Sequence, residues 1–379
     1  MSRPVFGSVI FLLALSLSAF GADKAKNVIL FLGDAGGLST LHAASIHAHG
    51  EPGKLYVQRM PHMALSDTSS AADWVSDSAA GMTAIVTGSK TNNGVISQSA
   101  DAVRGKQDGA PLKTILEYAE ERGLSTGIIS NSSMADATPA ACYAHANDRR
   151  KTGEIFAQVV TPRFGDGVDL VLGPGRKAIL AATQTLGVDL AAELSKKGYH
   201  FGETLNSIPA DAKRAVVLSD DDDFDIHAAT ELAIRILSKN KKGFFLMVES
   251  DLHTNRLARG LGRAAKFDRL IQSTAEQMRK NTLVLFTADH SFDLRISRRA
   301  GRGDALFTTV EGKDLPAAAV TVPGHHSAEH VLIAAEGPGA DRVRGFMSNT
   351  DVFHIMMAAY GWTPAQMSDS RGPAAQRGQ

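Results

Sequence analysis

Three apolar, strand-like runs of this chain end in side chains that bind metal ions well. NVILFLG leads straight into Asp34, FFLMVE ends in Glu249 and continues as Ser250-Asp251-Leu252-His253, and TLVLFT is followed by Ala288-Asp289-His290-Ser291. A carboxylate just after a strand can do no more than cap the next helix. Three such ends, two of them with a carboxylate and a histidine within two residues, ask for a shared cause. Carboxylates combined with imidazoles suit zinc, and a surplus of oxygen ligands beside them suits magnesium. The pattern predicts a multi-metal site.

A second constellation is Val75-Ser76-Asp77-Ser78-Ala79-Ala80-Gly81-Met82, where Ser78 stands at the head of a run of small residues with helical character. A hydroxyl there meets free backbone N–H groups and the positive end of a helix dipole, a setting that favours an anion. The plain reading of such a serine is an N-cap. Beside a metal site it is also a candidate nucleophile, because a bound cation can lower the pKa of its hydroxyl.

The elements that must position these groups follow from the hydrophobic pattern. Apolar, β-branched-rich runs recur at 27–33, 126–130, 168–172, 215–218, 244–249, 282–287 and 331–335. Amphipathic stretches lie between most of them, at 40–48, 79–87, 111–123, 190–197, 228–240, 260–279 and 351–359. Strands alternating with helices predict an α/β fold, a mostly parallel central sheet with helices on both faces. In such a sheet functional groups gather beyond the carboxyl ends of the strands, where the three motifs above fall. Gly173–Gly175, Gly337–Gly339 and the acidic run Asp220–Asp223 read as turns or solvated loops, the last without the spacing of a calcium loop.

Lys+Arg 40 balance Asp+Glu 40, so no overall charge draws the chain to nucleic acid or to an anionic membrane. The opening MSRPVFGSVIFLLALSLSAFGA has a basic residue, a short apolar run and small residues at Ala19 and Gly21. It reads as a signal peptide over 1–21, cut after Gly21, which implies a periplasmic or secreted protein with no membrane span once the leader is removed. One further domain, 22–379, is expected. The single cysteine, Cys142, cannot form an internal disulfide and reads as a small buried side chain, leaving stability to a large core or to bound metal.

These residues carry a resemblance to the alkaline phosphatase family. NVILFLGDAGG, VSDSAAGMTAIVTG, DATPAACYAHANDR, GVDLVLGPGRK, GFFLMVES, TLVLFTADHS, and HHSAEH followed by EGPGADRVRG resemble family motifs in family order along the chain. The resemblance implies a metal-dependent phosphomonoesterase with two zinc ions and one magnesium. Ser78 matches the nucleophile that forms a phosphoserine, and Arg149 the arginine that grips two phosphate oxygens. Asp34, Asp289 and His290 match one zinc site. Asp34 also bridges toward a magnesium matched by Thr138 and Glu249. His326 matches the histidine of the other zinc site, with His325 beside it as the alternative, and Asp136 matches a position that organises magnesium-bound water.

The chain departs from the family after Glu249. Relatives carry an aspartate there and then a histidine four positions on, whereas this chain has Asp251 and His253, with Asn255 where that spacing would put the histidine. Asp251 and His253 are therefore expected as ligands through a shortened loop. The remaining histidines carry no motif and read as packing or surface residues. A phosphodiesterase of the same superfamily, or a non-catalytic metal- or phosphate-binding relative, are the competing readings. Arg149 and the magnesium residues favour small phosphomonoester substrates, and no C/S-x-P-x-R motif supports a sulfatase. A homodimer is left open.

Overall fold

The computed structural model describes residues 24–362 apart from 222, 299 and 300. The expected leader over 1–21 lies outside the described residues. In chain order the strands are β1 (Asn27–Asp34), β2 (His62–Asp67), β3 (Ser125–Ser130), β4 (Leu170–Pro174), β5 (His200–Gly202), β6 (Ala215–Ser219), β7 (Phe244–Asp251) and β8 (Thr282–Thr287). They continue as β9 (Ser291–Phe292), β10 (Arg295–Ile296), β11 (Phe307–Val310), β12 (Lys313–Pro316), β13 (Val320–Thr321), β14 (His326–Ser327), β15 (Val331–Glu336) and β16 (Gly345–Ser348). The helices are α1 (Leu38–His49), α2 (Ser78–Thr87), α3 (Ile115–Glu121), α4 (Ala137–Tyr143), α5 (Thr152–Ala157), α6 (Arg176–Thr185), α7 (Leu190–Lys196), α8 (Ile226–Leu237), α9 (Leu257–Met278) and α10 (Asp351–Ala359).

Ten strands form one sheet in the order β16-β2-β15-β8-β1-β7-β3-β4-β6-β5. Neighbours pair in parallel except at β15, which is antiparallel to both β2 and β8. Every residue of β1 is buried, and its side chains alternate between two cores. Val28, Leu30 and Leu32 enter one, Ile29 and Phe31 the other, so both faces of the central strand are covered and the strand reads as a continuous apolar run. Each such large side chain contributes about 1.5–3 kcal/mol on burial. The site thus stands at the end of a strand buried on both faces.

All seven apolar runs are strands of this sheet, which confirms the α/β reading. The sheet also holds β2, β5 and β16, which are short or amphipathic and fall at or near its edges. Three helices beyond the expected seven, α4, α5 and α6, are short or polar, and α4 carries Pro139 in its first turn, where a missing N–H costs nothing. The helix expected from 111 starts only at Ile115. Thr114 accepts from the Glu117 amide while the Glu117 carboxylate accepts from the Thr114 amide, a reciprocal cap that fixes the start.

Register decides what meets at the carboxyl ends. Asp34 of β1 lies opposite Asp251 of β7, Leu32 opposite Thr287 of β8, and Ser130 of β3 opposite Glu249 of β7. Four adjacent parallel strands therefore end level, and the groups that follow them share one space.

Candidate active site

Asp34, Glu249, Asp289 and His290 are all buried where β1, β7 and β8 end. His290 Nε2 lies 3.3 Å from Asp34 Oδ1 and 3.6 Å from Asp289 Oδ2. The second Asp289 oxygen accepts from the amides of Ala35, at 3.3 Å, and His290, at 3.0 Å. Ala35 holds the left-handed conformation, φ 64°, that bends the chain away from the carboxylate it has just presented. A non-glycine residue there costs on the order of 1–3 kcal/mol, a strain that the surrounding contacts must hold in place.

His253 joins this cluster from the β7 end. Its Nδ1 is 2.8 Å from Asp251 Oδ1 and 3.8 Å from Asp34 Oδ1, and its ring centre is 5.7 Å from those of His290 and His326. His326 arrives on β14, which pairs with β9 directly after His290, and stacks on His290 with ring centres 3.8 Å apart. His326 Nδ1 faces the Ser76 carbonyl at 3.0 Å, whereas His325 points to the exposed side of its turn. Three groupings bring ligand atoms within 4.8 Å of one another: Asp34, Asp289 and His290; Asp34, Asp251 and His253; and His253, His290 and His326. Asn255 lies on the wall of the adjoining cleft.

Such a concentration of acids shifts their proton affinities. Burial, then the charges of Asp289, Glu249, Asp251 and Asp136, push Asp34 far above the usual carboxylate range. Burial likewise raises Glu249, against the pull of its hydrogen bond from Ser130, and Asp136 and Asp289 raise it further. Asp251 goes the other way: its burial is outweighed by hydrogen bonds from His253 and by the charge of Arg263, whose Nη1 lies 2.9 Å from Oδ2. Burial lowers His290 to about 4, with Asp289 opposing and His326 and His253 assisting, so the ring is neutral and able to ligate at ordinary pH.

The helix α2 places Ser78 against this cluster. Its N-cap is Asp77, whose carboxylate accepts from the Ala80 amide at 3.1 Å, so Ser78 is released from capping duty as the first helical residue. Ser78 Oγ lies 3.2 Å from His290 Nε2. Gly81 makes this approach feasible, because a Cβ there would stand 2.4 Å from the Asp289 carbonyl oxygen. Arg149 donates to Asp77 at 3.2 Å and to Asp136 at 2.7 Å, which fixes its guanidinium beside the serine. Thr138, on α4, faces Glu249 from the far side.

The residues singled out by sequence are thus brought together, and several more have no signal of their own. Ser130 holds Glu249, and Arg263 holds Asp251. Glu329 accepts from the Ser39 amide, Ser39 Oγ and Ser291 Oγ, tying α1 to the segment that follows His290. Asp136, expected beside a metal, is engaged with Arg149 and with the Ala137 amide. Asp77 was foreshadowed by its place one residue before Ser78.

The family model described as alkaline phosphatase matches residues 25–211 and 208–323. The alkaline phosphatase of Escherichia coli K12 is 31% identical over 420 aligned positions, covering 90% of this chain and 87% of its own. That of Gadus morhua is 30% identical over 356, covering 78% of this chain and 75% of its own. Among solved structures, the alkaline phosphatase of the Antarctic bacterium TAB5 superposes with a TM-score of 0.73 at 26% identity, covering 90% of this chain and all of that one. A mutant of that enzyme, solved with Mg bound in its M3 site, gives a TM-score of 0.74 at 27% identity.

Proposed function

Since this chain belongs to the alkaline phosphatase family of phosphomonoesterases, we propose that it works through a phosphoserine at Ser78, beside two zinc sites and one magnesium site. The carrying observation is the approach of Ser78 Oγ to His290 Nε2, 3.2 Å, at the head of a helix whose cap is supplied by another residue.

The donor set fits the metals. Asp34 Oδ1, Asp289 Oδ2 and Glu249 Oε1 are buried without a hydrogen-bond partner, and Thr138 Oγ1 has no hydrogen bond of normal geometry. Each orphaned oxygen would cost about 1–3 kcal/mol or more if nothing came to it, and cations are the partners that answer buried carboxylates. Asp34, Asp289 and His290 would hold one zinc, Asp251, His253 and His326 the other, and Asp34, Thr138 and Glu249 the magnesium. A solved mutant of the TAB5 alkaline phosphatase has Mg bound in its M3 site, which supports a magnesium site in this reading. When bound, these ions supply positive charge to both oxygens of an in-line displacement and lower the pKa of the attacking hydroxyl.

The chain's own residues do the rest. Phosphoryl transfer needs positioning and charge stabilisation more than covalent chemistry. Arg149, preset by Asp77 and Asp136, presents a planar fork to two phosphate oxygens. The amides of Ser78 and Ala79, which the Asp77 cap leaves open, would face the same anion. Ser78 Oγ attacks phosphorus, the ester oxygen departs on the opposite side, and water arriving from the vacated side releases phosphate and restores the serine. Neutral His290 would offer its lone pair to a cation held beside the Ser78 hydroxyl.

Export with removal of 1–21, and a single catalytic domain over 22–379, belong to the same reading. Among the described residues no helix is long and apolar enough to cross a membrane. Hydrolysis of p-nitrophenyl phosphate well ahead of bis-p-nitrophenyl phosphate supports the monoesterase. The reverse order indicates the phosphodiesterase, and turnover of neither indicates a binding protein.

A further inference from the structure

Asp34 and His290 leave neighbouring strands, and behind them a single carboxylate joins the two segments. Glu329 stands on the loop between β14 and β15. Its Oε1 accepts from the Ser39 amide at 3.2 Å, and its Oε2 accepts from Ser39 Oγ at 3.0 Å and from Ser291 Oγ at 2.5 Å. Ser39 lies in the first turn of α1, just after the stretch 34–37, and Ser291 directly follows His290. One side chain thus links the segment that presents Asp34 to the segment that presents His290.

Each end of this link has a local reason. The N-cap of α1 is Gly37, which has no side chain to offer, so the first-turn amide of Ser39 takes its acceptor from elsewhere in the chain. A carboxylate at that point also meets the positive end of the helix dipole. A Cβ on Gly37 would stand 1.8 Å from Ser291 Oγ and 2.5 Å from Glu329 Oε2, so glycine is what lets the three segments close on one another. Gly37 also bridges Val331, two residues beyond Glu329. At the other end Ser291 is buried, and its carbonyl oxygen lies 3.3 Å from His290 Nδ1. A proton on Nδ1, donated to that carbonyl, leaves the Nε2 lone pair on the side of Asp34 and Asp289. Ser291 therefore has its hydroxyl held by Glu329 while its carbonyl faces the imidazole, and the pose of the ring is passed back to the carboxylate through one residue.

We propose that Glu329 is a positioning residue for the zinc site of Asp34, Asp289 and His290: it caps α1 behind Asp34 and, through Ser291, sets the orientation and tautomer of His290. The proposal rests on the metal-dependent reading above. Groups that orient a metal-binding histidine from behind carry about 10- to 100-fold of metal affinity. A carboxylate can accept from all three donors at once, whereas the single carbonyl oxygen of glutamine can satisfy only part of the set.

The test reads zinc occupancy of the metal-stripped full chain against free zinc fixed by a chelator buffer, in the wild type, Glu329→Ala, Glu329→Gln, Ser291→Ala and the Glu329→Ala, Ser291→Ala pair. In Glu329→Ala one zinc ion should bind about 10- to 100-fold more weakly, with Glu329→Gln between it and the wild type and Ser291→Ala moving in the same direction. The paired variant should lose less than the product of the two single losses, because both changes cut the same link. Tyr199→Phe, which removes a hydrogen bond to the Val168 carbonyl beside the far edge strand β5, supplies a loss of stability remote from the site; it should lower the melting temperature without moving the zinc curve. Unchanged zinc affinity in Glu329→Ala, or a zinc curve displaced as far in Tyr199→Phe, would overturn the positioning role while leaving the phosphatase reading intact. Losses that multiply in full in the paired variant would overturn the route through Ser291. If Glu329→Ala does not fold, Glu329→Gln and Ser291→Ala decide by the same shift or its absence. A wild type that binds no zinc would instead remove the reading beneath the proposal.

Discussion

Replacing Arg149 by alanine separates monoester from diester recognition. In the structure the guanidinium spends one N–H group on Asp77 and another on Asp136, which leaves its other donors for a phosphate at Ser78. A hydrogen bond to a charged group contributes about 1.5–3 kcal/mol. Loss of a two-pronged contact, partly replaced by water in the open site, then comes to about 2–3 kcal/mol of transition-state binding. That corresponds to a fall in kcat/KM of about 30- to 150-fold for p-nitrophenyl phosphate. A diester has one negative charge fewer and should lose less than about tenfold. The fold should lose only modestly, since the Asp136 side chain is 42% exposed and a pair of that kind is worth about 1 kcal/mol or less, while the Asp77 carboxylate keeps its hydrogen bond from the Ala80 amide. Arg149→Lys keeps the charge without the fork and should fall between. Equal losses on monoester and diester, or a melting temperature lowered enough to explain the loss, would refute the assignment of Arg149 to the extra phosphate charge.

Three further outcomes are expected. His253→Ala should lower zinc content by about one ion per chain, measured by atomic emission, with the Asp34, Asp289 and His290 site still occupied; unchanged stoichiometry with near-normal activity would assign His253 to structure. Chelation should lower the melting temperature and raise the proton uptake of the folded protein, because Asp34 and Glu249 are then buried charges without cations; a melting curve indifferent to chelator contradicts this. Away from the site, burial raises Glu120 from 4.5 to about 8, so the folded chain keeps a proton there that the unfolded chain has lost. Stability from this group falls as pH rises from about 4.5 to about 8 and is level above that window. Glu120→Gln, able to accept from the Gly167 amide and donate to Thr126, should therefore flatten this slope and gain on the wild type in melts at pH about 9 relative to pH about 5.

The sheet was legible because β1, β7 and β8 are buried on both faces, and two-sided burial writes an unbroken apolar run into the sequence. Edge strands such as β16 and β5 carry no such run, and α4 and α6 begin beside proline, so neither announced itself. At the site, carboxylates and histidines just past strand ends could be read directly, because parallel strands bring their carboxyl ends level. Thr138, Arg149 and His326 were reached through the family resemblance, as no local pattern marks a residue that converges on the site only through the tertiary fold. Ser130, Arg263 and Glu329 were not reached at all. Each acts by holding another side chain, at separations of 119, 12 and 38 residues that follow no local pattern.

The central claim is that Ser78 carries the phosphoryl group. Brief incubation of the wild-type protein with labelled phosphomonoester, acid quenching and peptide mass spectrometry should find phosphate on the peptide holding Val75–Met82, at Ser78, and none in Ser78→Ala. That variant should retain its fold and metal content while losing turnover by about 10³-fold or more. Full turnover in Ser78→Ala, or phosphate trapped on any other residue, would contradict the account.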